Sequence, residues 1–281
     1  MLAVTKIKKD MEFNRNFSSL LDVLKAIAAS QFQTLEKKLK IFPQFDPILQ
    51  SYFDSIDPND WHHPFLELRP GPLAVVAVTS DQGLLGGMNL RVVTTAVNRM
   101  QSKKDELIVV GERGQNYARD LLGHFTAFPG IRDDQRGAQA AELRNYLFRK
   151  AQEGKITGVL AVYPRALTLI HHRVDTVTLL PFSMEQKPVS EPVPFQSIIF
   201  ESSVDSLLEY LIFLSVGQKL SEIFGLSRLA ELAARYTHLE EGSQRITELN
   251  QKLKLRYFRL RHEVIDQSMR ELSSARALYA R

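Results

Sequence analysis

Apolar residues recur every three or four positions along the first forty residues of the chain. No glycine or proline interrupts residues 1–42, and Pro43 and Pro47 follow directly. This spacing predicts one long amphipathic helix that ends or kinks at the first proline. The predicted apolar stripe contains Phe17, Leu20, Leu21, Leu24, Ile27, Ala28, Leu35 and Leu39.

The last third of the chain has the same character over a greater length. Residues 204–280 contain no proline, and a near-heptad apolar pattern continues through them past Gly217, Gly225 and Gly242. A single helix of this length would extend on the order of 100 Å, well beyond the diameter of one domain. We therefore expect the N-terminal helix to cover part of it as an antiparallel coiled coil, and another protein to cover the rest.

A different pattern lies between the two predicted helices. Short runs rich in β-branched residues alternate with segments that are compatible with helix, which predicts a Rossmann-like α/β domain with a small, mostly parallel sheet. The predicted strands are 73–80, 106–112, 158–164 and 175–182. The predicted organisation is an N-terminal coiled-coil helix (1–57), an inserted α/β domain (58–202) and a C-terminal coiled-coil helix (203–281).

The stretch SDQGLLGGMN, residues 80–89, follows the first predicted strand and precedes a helix. A glycine-rich loop in this place could bind a phosphate. However, its glycine spacing fits neither a P-loop nor a dinucleotide-binding fingerprint, and the loop contains no lysine. We therefore predict a structural turn, in which Asp81 hydrogen-bonds the turn, Gly83, Gly86 and Gly87 supply backbone freedom, and Asn89 helps to start the helix.

Composition and charge narrow the classes of function. The chain has 281 residues and a formal net charge of +4. It contains no cysteine, which excludes thiol catalysis and cysteine-based metal sites. Residues 1–40 carry eight basic against four acidic side chains, and residues 245–281 carry nine against four. Both ends are therefore basic, either as solvated helix faces or as surfaces for an acidic partner. No apolar run is long enough to insert directly into a bilayer, and no metal-ligand or cofactor-binding pattern is present.

Four stretches together resemble the gamma subunit of F-type ATP synthases. Residues 80–89 are similar to its SDxGLxGGxN turn, and KAIAASQ (25–31) is similar to an N-terminal motif of the family. LAELAARYTHL (229–239) and LKLRYFRLRHEVIDQSMREL (253–272) resemble two C-terminal motifs at the family's mutual distance. The resemblance extends over nearly the whole chain.

This resemblance implies a mechanical function without catalysis. The family's paired helices form a central rotor shaft, which couples ion translocation through a membrane ring to conformational cycling of a catalytic hexamer. The implied partners are the alpha and beta subunits of the hexamer, the epsilon subunit and the c-ring. The implied location is the cytoplasmic face of a bacterial inner membrane, as a peripheral subunit, because the N-terminus shows no transit-like leader. A processed mitochondrial chain stays an alternative.

Individual site residues follow from the same resemblance. Arg261 and His262 fall where the family's Arg-Gln pair contacts a catch loop of a beta subunit. A basic face of the shaft is expected at Lys25, Arg235, Arg256 and Arg259. His262 in place of glutamine departs from the family pattern, as do the arginines near the C-terminal tip. These departures favour a divergent bacterial member, such as the alternative sodium-pumping type.

Two other classes of function stay open from the residues alone. A nucleic-acid-binding coiled-coil protein would also use basic termini, although aromatic residues are not interleaved with them as such proteins require. A small-molecule enzyme could use the α/β domain if a pocket with convergent polar groups were present. The resemblance favours the rotor over both, with no nucleic acid among its partners.

Overall fold

A computed structural model of the chain describes residues 2–41, 53, 63–67, 69–183 and 203–279. Both predicted long helices are present as continuous elements. The C-terminal helix continues through all three of its glycines, and the N-terminal helix is described as far as Ile41. The helices are α1 (Leu2–Ile41), α2 (Met88–Arg99), α3 (Glu112–Leu121), α4 (Arg136–Gln152) and α5 (Val204–Tyr279).

Five strands form one sheet between α1 and α5 in the sequence. Its order is β3-β2-β1-β4-β5, and all neighbouring pairs are parallel except β4 with β5. The strands are β1 (Leu73–Val78), β2 (Glu106–Val110), β3 (Thr126–Phe128), β4 (Gly158–Ala166) and β5 (His172–Leu180). Four of them confirm predicted strands. The fifth, β3, was not predicted, because three residues are too few to show a period.

Alternate residues of the strands enter two separate cores on the two faces of the sheet. Val76 and Val78 of β1 pack on one face with α4 and the first part of α5, through residues such as Leu143 and Ile212. Val75 and Ala77 pack on the other face with α2 and α3. The predicted α/β domain with a small, mostly parallel sheet is therefore confirmed, and the structure places helices on both faces of the sheet.

The chain divides into two compact units. The first consists of Met1–Ala29 with Tyr236–Arg281, and the second consists of Ser30–Arg235. In the first unit Lys25 contacts Glu240 and Asp22 contacts Ser243, so the two helices run antiparallel there, as predicted. The predicted domain boundaries at residues 57 and 202 lie outside the described residues, and that division stays a prediction.

Apolar residues of the first unit divide into a covered and an uncovered set. Ile7, Leu21 and Ala28 are buried between the helices. Others that the period placed on the same stripe, including Phe17, Leu20 and Ile27, are exposed. A pair of helices buries one seam of each helix, so the remaining apolar side chains face outward.

Candidate functional site

The glycine-rich turn is closed by side chains at its two ends. The Asn89 amide donates to Ser80 Oγ at 2.9 Å, and its carbonyl oxygen lies 3.3 Å from the Ser80 backbone nitrogen. Ser80 Oγ in turn donates to the Gln82 carbonyl at 3.0 Å. Asn89 is already the second residue of α2, which has no side-chain cap. It therefore ties the turn to the helix and does not cap the helix start as we expected.

We predicted that all three glycines of the turn supply backbone freedom, but among them only Gly86 has a positive φ. Gly86 has a positive φ of 58°, which favours glycine, whereas Gly87 has a φ of −87° that any residue can adopt. The second residue with a positive φ in the turn is Leu84, at 64°, and its side chain is exposed. A leucine in this conformation is strained and depends on its surroundings to stay there.

The turn is also attached to the start of helix α3. Asp81 accepts a hydrogen bond from the Glu112 backbone nitrogen at 2.8 Å, at the first turn of α3. The described hydrogen bond of Asp81 therefore goes to α3 and not to the turn that contains Asp81. A carboxylate at a helix N-terminus is favourable, because the first backbone N–H groups lack partners within the helix.

Helix α5 contacts the turn through one polar and one apolar cluster. The Arg235 guanidinium donates to Gln82 Oε1 at 2.7 Å and to Glu231 Oε1 at 3.0 Å. Beside this contact, Leu85 and Met88 pack against Ala230 and Ala234. The structure thus brings one residue of the predicted basic face together with the predicted turn.

Lys25, a second residue of the predicted basic face, is engaged between the two helices of the first unit. Its Nζ lies 2.6 Å from Glu240 Oε2 and 3.2 Å from Asp22 Oδ1. The hydrogen bond with Glu240 raises the pKa of Lys25 and lowers the pKa of Glu240. Lys25 therefore helps to hold the helix pair together.

The other predicted contact residues lie on the surface of the first unit. Arg256, Arg259, Arg261 and His262 are all exposed. Within the described part of the chain, none of these four side chains has a hydrogen-bond or ion-pair partner. They are therefore available for contact with another protein.

Arg228 and Glu231 form an ion pair beside Arg235 that was not predicted from the sequence. Burial alone would lower the pKa of the Arg228 guanidinium, but the carboxylates of Glu231 and Asp133 outweigh burial and raise it. The spacing of Arg228, Glu231 and Arg235 by three and four residues on a helix was the available signal, since it places the three side chains on one face.

The described ranges of the chain contain neither a candidate membrane span nor a cluster of potential metal ligands. In those ranges no helix combines the length and the apolar character that a bilayer span requires. Nor do the same ranges contain a group of three or more potential metal ligands.

Two long helices that pair antiparallel, with an α/β domain inserted between them in the sequence, define the class of the central stalk of rotary ATPases. A family model described as ATP synthase matches residues 3–278. The chain therefore belongs to the ATP synthase gamma-chain family, as its motifs indicated, and its role is that of the central rotor subunit.

Individual relatives match this chain over nearly their whole length. The ATP synthase gamma chain of Clostridium acetobutylicum is 25% identical over 276 residues, which cover 95% of this chain and 94% of the relative. A rotor chain of the Euglena gracilis mitochondrial ATP synthase has the same fold, with a TM-score of 0.67 at 16% identity, over 94% of this chain and 99% of that one. Another structure of that enzyme, containing its c-ring, gives a TM-score of 0.71 at 15% identity, over 99% and 95% of the two chains.

Proposed function

We propose that this chain is a non-catalytic shaft, whose rotation couples ion translocation through a membrane ring to conformational cycling of a catalytic alpha–beta hexamer. The observation that carries the proposal is the uncovered apolar surface of the first unit. Large apolar side chains exposed on a soluble protein mark a surface that another protein covers. On this unit they are Phe13, Phe17, Leu20, Val23, Ile27, Leu249, Leu255, Phe258, Ile265, Met269 and Leu272.

The basic face supports a charged contact around this apolar surface. Because Lys25 and Arg235 already have partners in their own chain, Arg256 and Arg259 are the members of that face that we assign to a partner. Exposed ion pairs contribute about 0–1 kcal/mol each. Contacts of this strength suit a surface that must move from one beta subunit to the next.

We assign Arg261 and His262 to the contact with a catch loop of a beta subunit. Both side chains are exposed on α5. They precede the last two arginines of the helix, Arg270 and Arg276, by at least eight residues. A planar guanidinium can form two parallel hydrogen bonds to a carboxylate, which makes arginine suitable for such a catch. The support for this assignment is the position of the pair in the motif together with its exposure.

The remaining partners follow from the rotor role. We propose that the chain also contacts the epsilon subunit and the c-ring, as a peripheral subunit on the cytoplasmic face of a bacterial inner membrane. Purification through a tag on this chain tests the proposal. We expect alpha and beta subunits to co-purify with ATPase activity, and isolation of the chain alone or with nucleic acid would contradict it.

A truncation separates the shaft from catalysis. Deleting residues 270–281 is expected to weaken assembly or torque while the hexamer still binds nucleotide, because residues 270–276 lie on the exposed last part of α5. Loss of nucleotide binding by the hexamer would show that this chain contributes to the catalytic sites.

A further inference from the structure

Glu231 is a nearly buried carboxylate that lies between two arginines of the same helix. Arg228 Nη1 donates to Glu231 Oε2 at 2.6 Å, and Arg235 Nη2 donates to Glu231 Oε1 at 3.0 Å. Only 6% of the Glu231 side chain is exposed. Each carboxylate oxygen therefore holds a different guanidinium.

The two arginines extend to two different loops of the α/β domain. Arg235 reaches Gln82 in the loop between β1 and α2, at 2.7 Å. Arg228 Nε forms an ion pair with Asp133 Oδ1 in the loop between β3 and α4, at 3.6 Å, which is beyond hydrogen-bond distance. Both loops follow the carboxyl ends of parallel strands and so lie at one edge of the sheet. We call these five residues, Gln82, Asp133, Arg228, Glu231 and Arg235, the Glu231 clasp.

The positive charges of Arg228 and Arg235 explain why Glu231 controls the contacts of both arginines with the two loops. A guanidinium that is mostly removed from water needs a carboxylate partner, since burial of an unpaired charge is costly. The side chains of Arg228 and Arg235 are 20% and 15% exposed, respectively, and both use Glu231. Because the guanidinium is a rigid planar fork, the carboxylate that binds one edge also fixes the direction of the other donors.

The apolar contact beside the clasp cannot supply this direction. Leu85 and Met88 pack on Ala230 and Ala234, whose small side chains allow the turn to approach α5 closely. Apolar packing resists separation but depends weakly on angle, whereas hydrogen bonds weaken steeply when they are misaligned. The clasp is therefore the part of this contact that opposes turning of the α/β domain about the helix.

We propose that Glu231 is a positioning residue for torque transfer, which locks the Ser30–Arg235 part of the chain so that helix α5 and the α/β domain turn together. This inference deepens the rotor role and rests on it. Without the carboxylate, both arginines lose their shared anchor, and each loop can shift against the helix under load.

The test compares Glu231→Gln with Glu222→Gln in the complete complex. Glu222 is on the same helix and pairs with Lys219 at 2.9 Å, but its side chain is 45% exposed, which makes it a matched control. Three quantities are measured: ATP hydrolysis, ATP-driven ion transport into vesicles, and amide hydrogen exchange in residues 80–87 and 130–135.

Glu231→Gln is expected to preserve hydrolysis but to lower ion transport per ATP. It is also expected to speed exchange in both loops by about tenfold, the effect of losing one hydrogen bond to a charged group. The control, Glu222→Gln, should change neither the ion transport per ATP nor the exchange in either loop. An unchanged transport ratio, or faster exchange in only one loop, would overturn the proposal.

A second pair of variants covers the case in which Glu231→Gln does not assemble. Asp133→Asn and Gln82→Ala each remove one arm of the clasp at its surface end, and each should loosen only its own loop. If the double variant leaves transport per ATP unchanged, the proposal is wrong. If the wild-type complex itself shows no ATP-driven transport, the rotor role fails, and not the clasp alone.

Discussion

Gly111 lies at the carboxyl edge of the sheet. Its replacement by alanine tests whether glycine is required there by the backbone conformation and by the neighbouring backbone atoms. Gly111 directly follows β2 and precedes α3, and it has φ 99° and ψ 134°, a conformation almost restricted to glycine. A Cβ added there would lie 2.6 Å from the Thr79 carbonyl oxygen and 2.9 Å from the Ser80 backbone nitrogen. These are backbone atoms next to the SDQGLLGGMN turn, so no side-chain rotation relieves the clash.

Two costs add to give the expected destabilisation. A non-glycine residue at positive φ costs about 1–2 kcal/mol, and forcing an extra carbon into a packed site costs about 1–3 kcal/mol. Gly111→Ala should therefore lower the free energy of unfolding by roughly 2–5 kcal/mol. At about 2–4 °C per kcal/mol, the midpoint of thermal unfolding should fall by about 4–20 °C.

Two control variants separate these costs in the same unfolding assay. Gly154 has φ 67° with nothing within 4 Å of an added Cβ, so Gly154→Ala carries only the conformational cost of about 1–2 kcal/mol. Gly87 has the same free space but φ −87°, so Gly87→Ala should be neutral or slightly stabilising, by up to about 1 kcal/mol. If Gly111→Ala were no worse than Gly154→Ala, the contact with Thr79 and Ser80 would not be the reason for the glycine.

Three further predictions concern charged groups. Burial would raise the pKa of Glu106, but hydrogen bonds from Tyr146, Thr126 and Lys150 lower it below 4.5, so its contribution to stability is present above pH 4.5 and is lost as pH falls through the lower value. Glu106→Gln should thus reduce stability by roughly 1.5–3 kcal/mol at pH 7, and urea unfolding should show the difference shrinking in acid. Lys25→Gln should cost about 0.2–1 kcal/mol, less in high salt, by the same assay. Arg261→Ala should slow ATP-driven rotation of the complex, with little change in the free energy of unfolding of the chain.

Controls and contradicting results are specific to each variant. Glu67→Gln breaks an exposed ion pair with Arg69 and should leave the pH dependence unchanged. A Glu106→Gln difference that persists undiminished below pH 3 would show that its charge is not responsible. For Arg261, the matched control is Arg245→Ala, an exposed arginine on the same helix. Equal effects of the two substitutions on rotation would refute the catch assignment.

The sequence predicted most of the fold because the long helices and four strands carry clear periods. It missed β3 for a physical reason. Thr126 is held by the carboxylate of Glu106, which also binds Tyr146 and Lys150. This edge strand therefore depends on partners that are 20 to 44 positions away from one another in the sequence, and no local pattern encodes them.

The site was predictable in its motifs but not in its contacts. Periodicity identifies an apolar stripe, but it cannot distinguish the buried Leu21 from the exposed Leu20, because a paired helix covers only part of its stripe. Basic residues identified from charge alone also divide once the fold is known. Lys25 and Arg235 bind carboxylates of their own chain, whereas Arg256 and Arg259 face outward.

Direct observation of rotation tests the central claim. The chain contains no cysteine, so Lys103→Cys, in the exposed loop between α2 and β2, gives a unique site for a fluorescent rod on the α/β domain. With the catalytic hexamer fixed to a surface, addition of ATP should turn the rod in one direction through many complete revolutions. A rod that stays fixed while the same complexes hydrolyse ATP would contradict the rotor role.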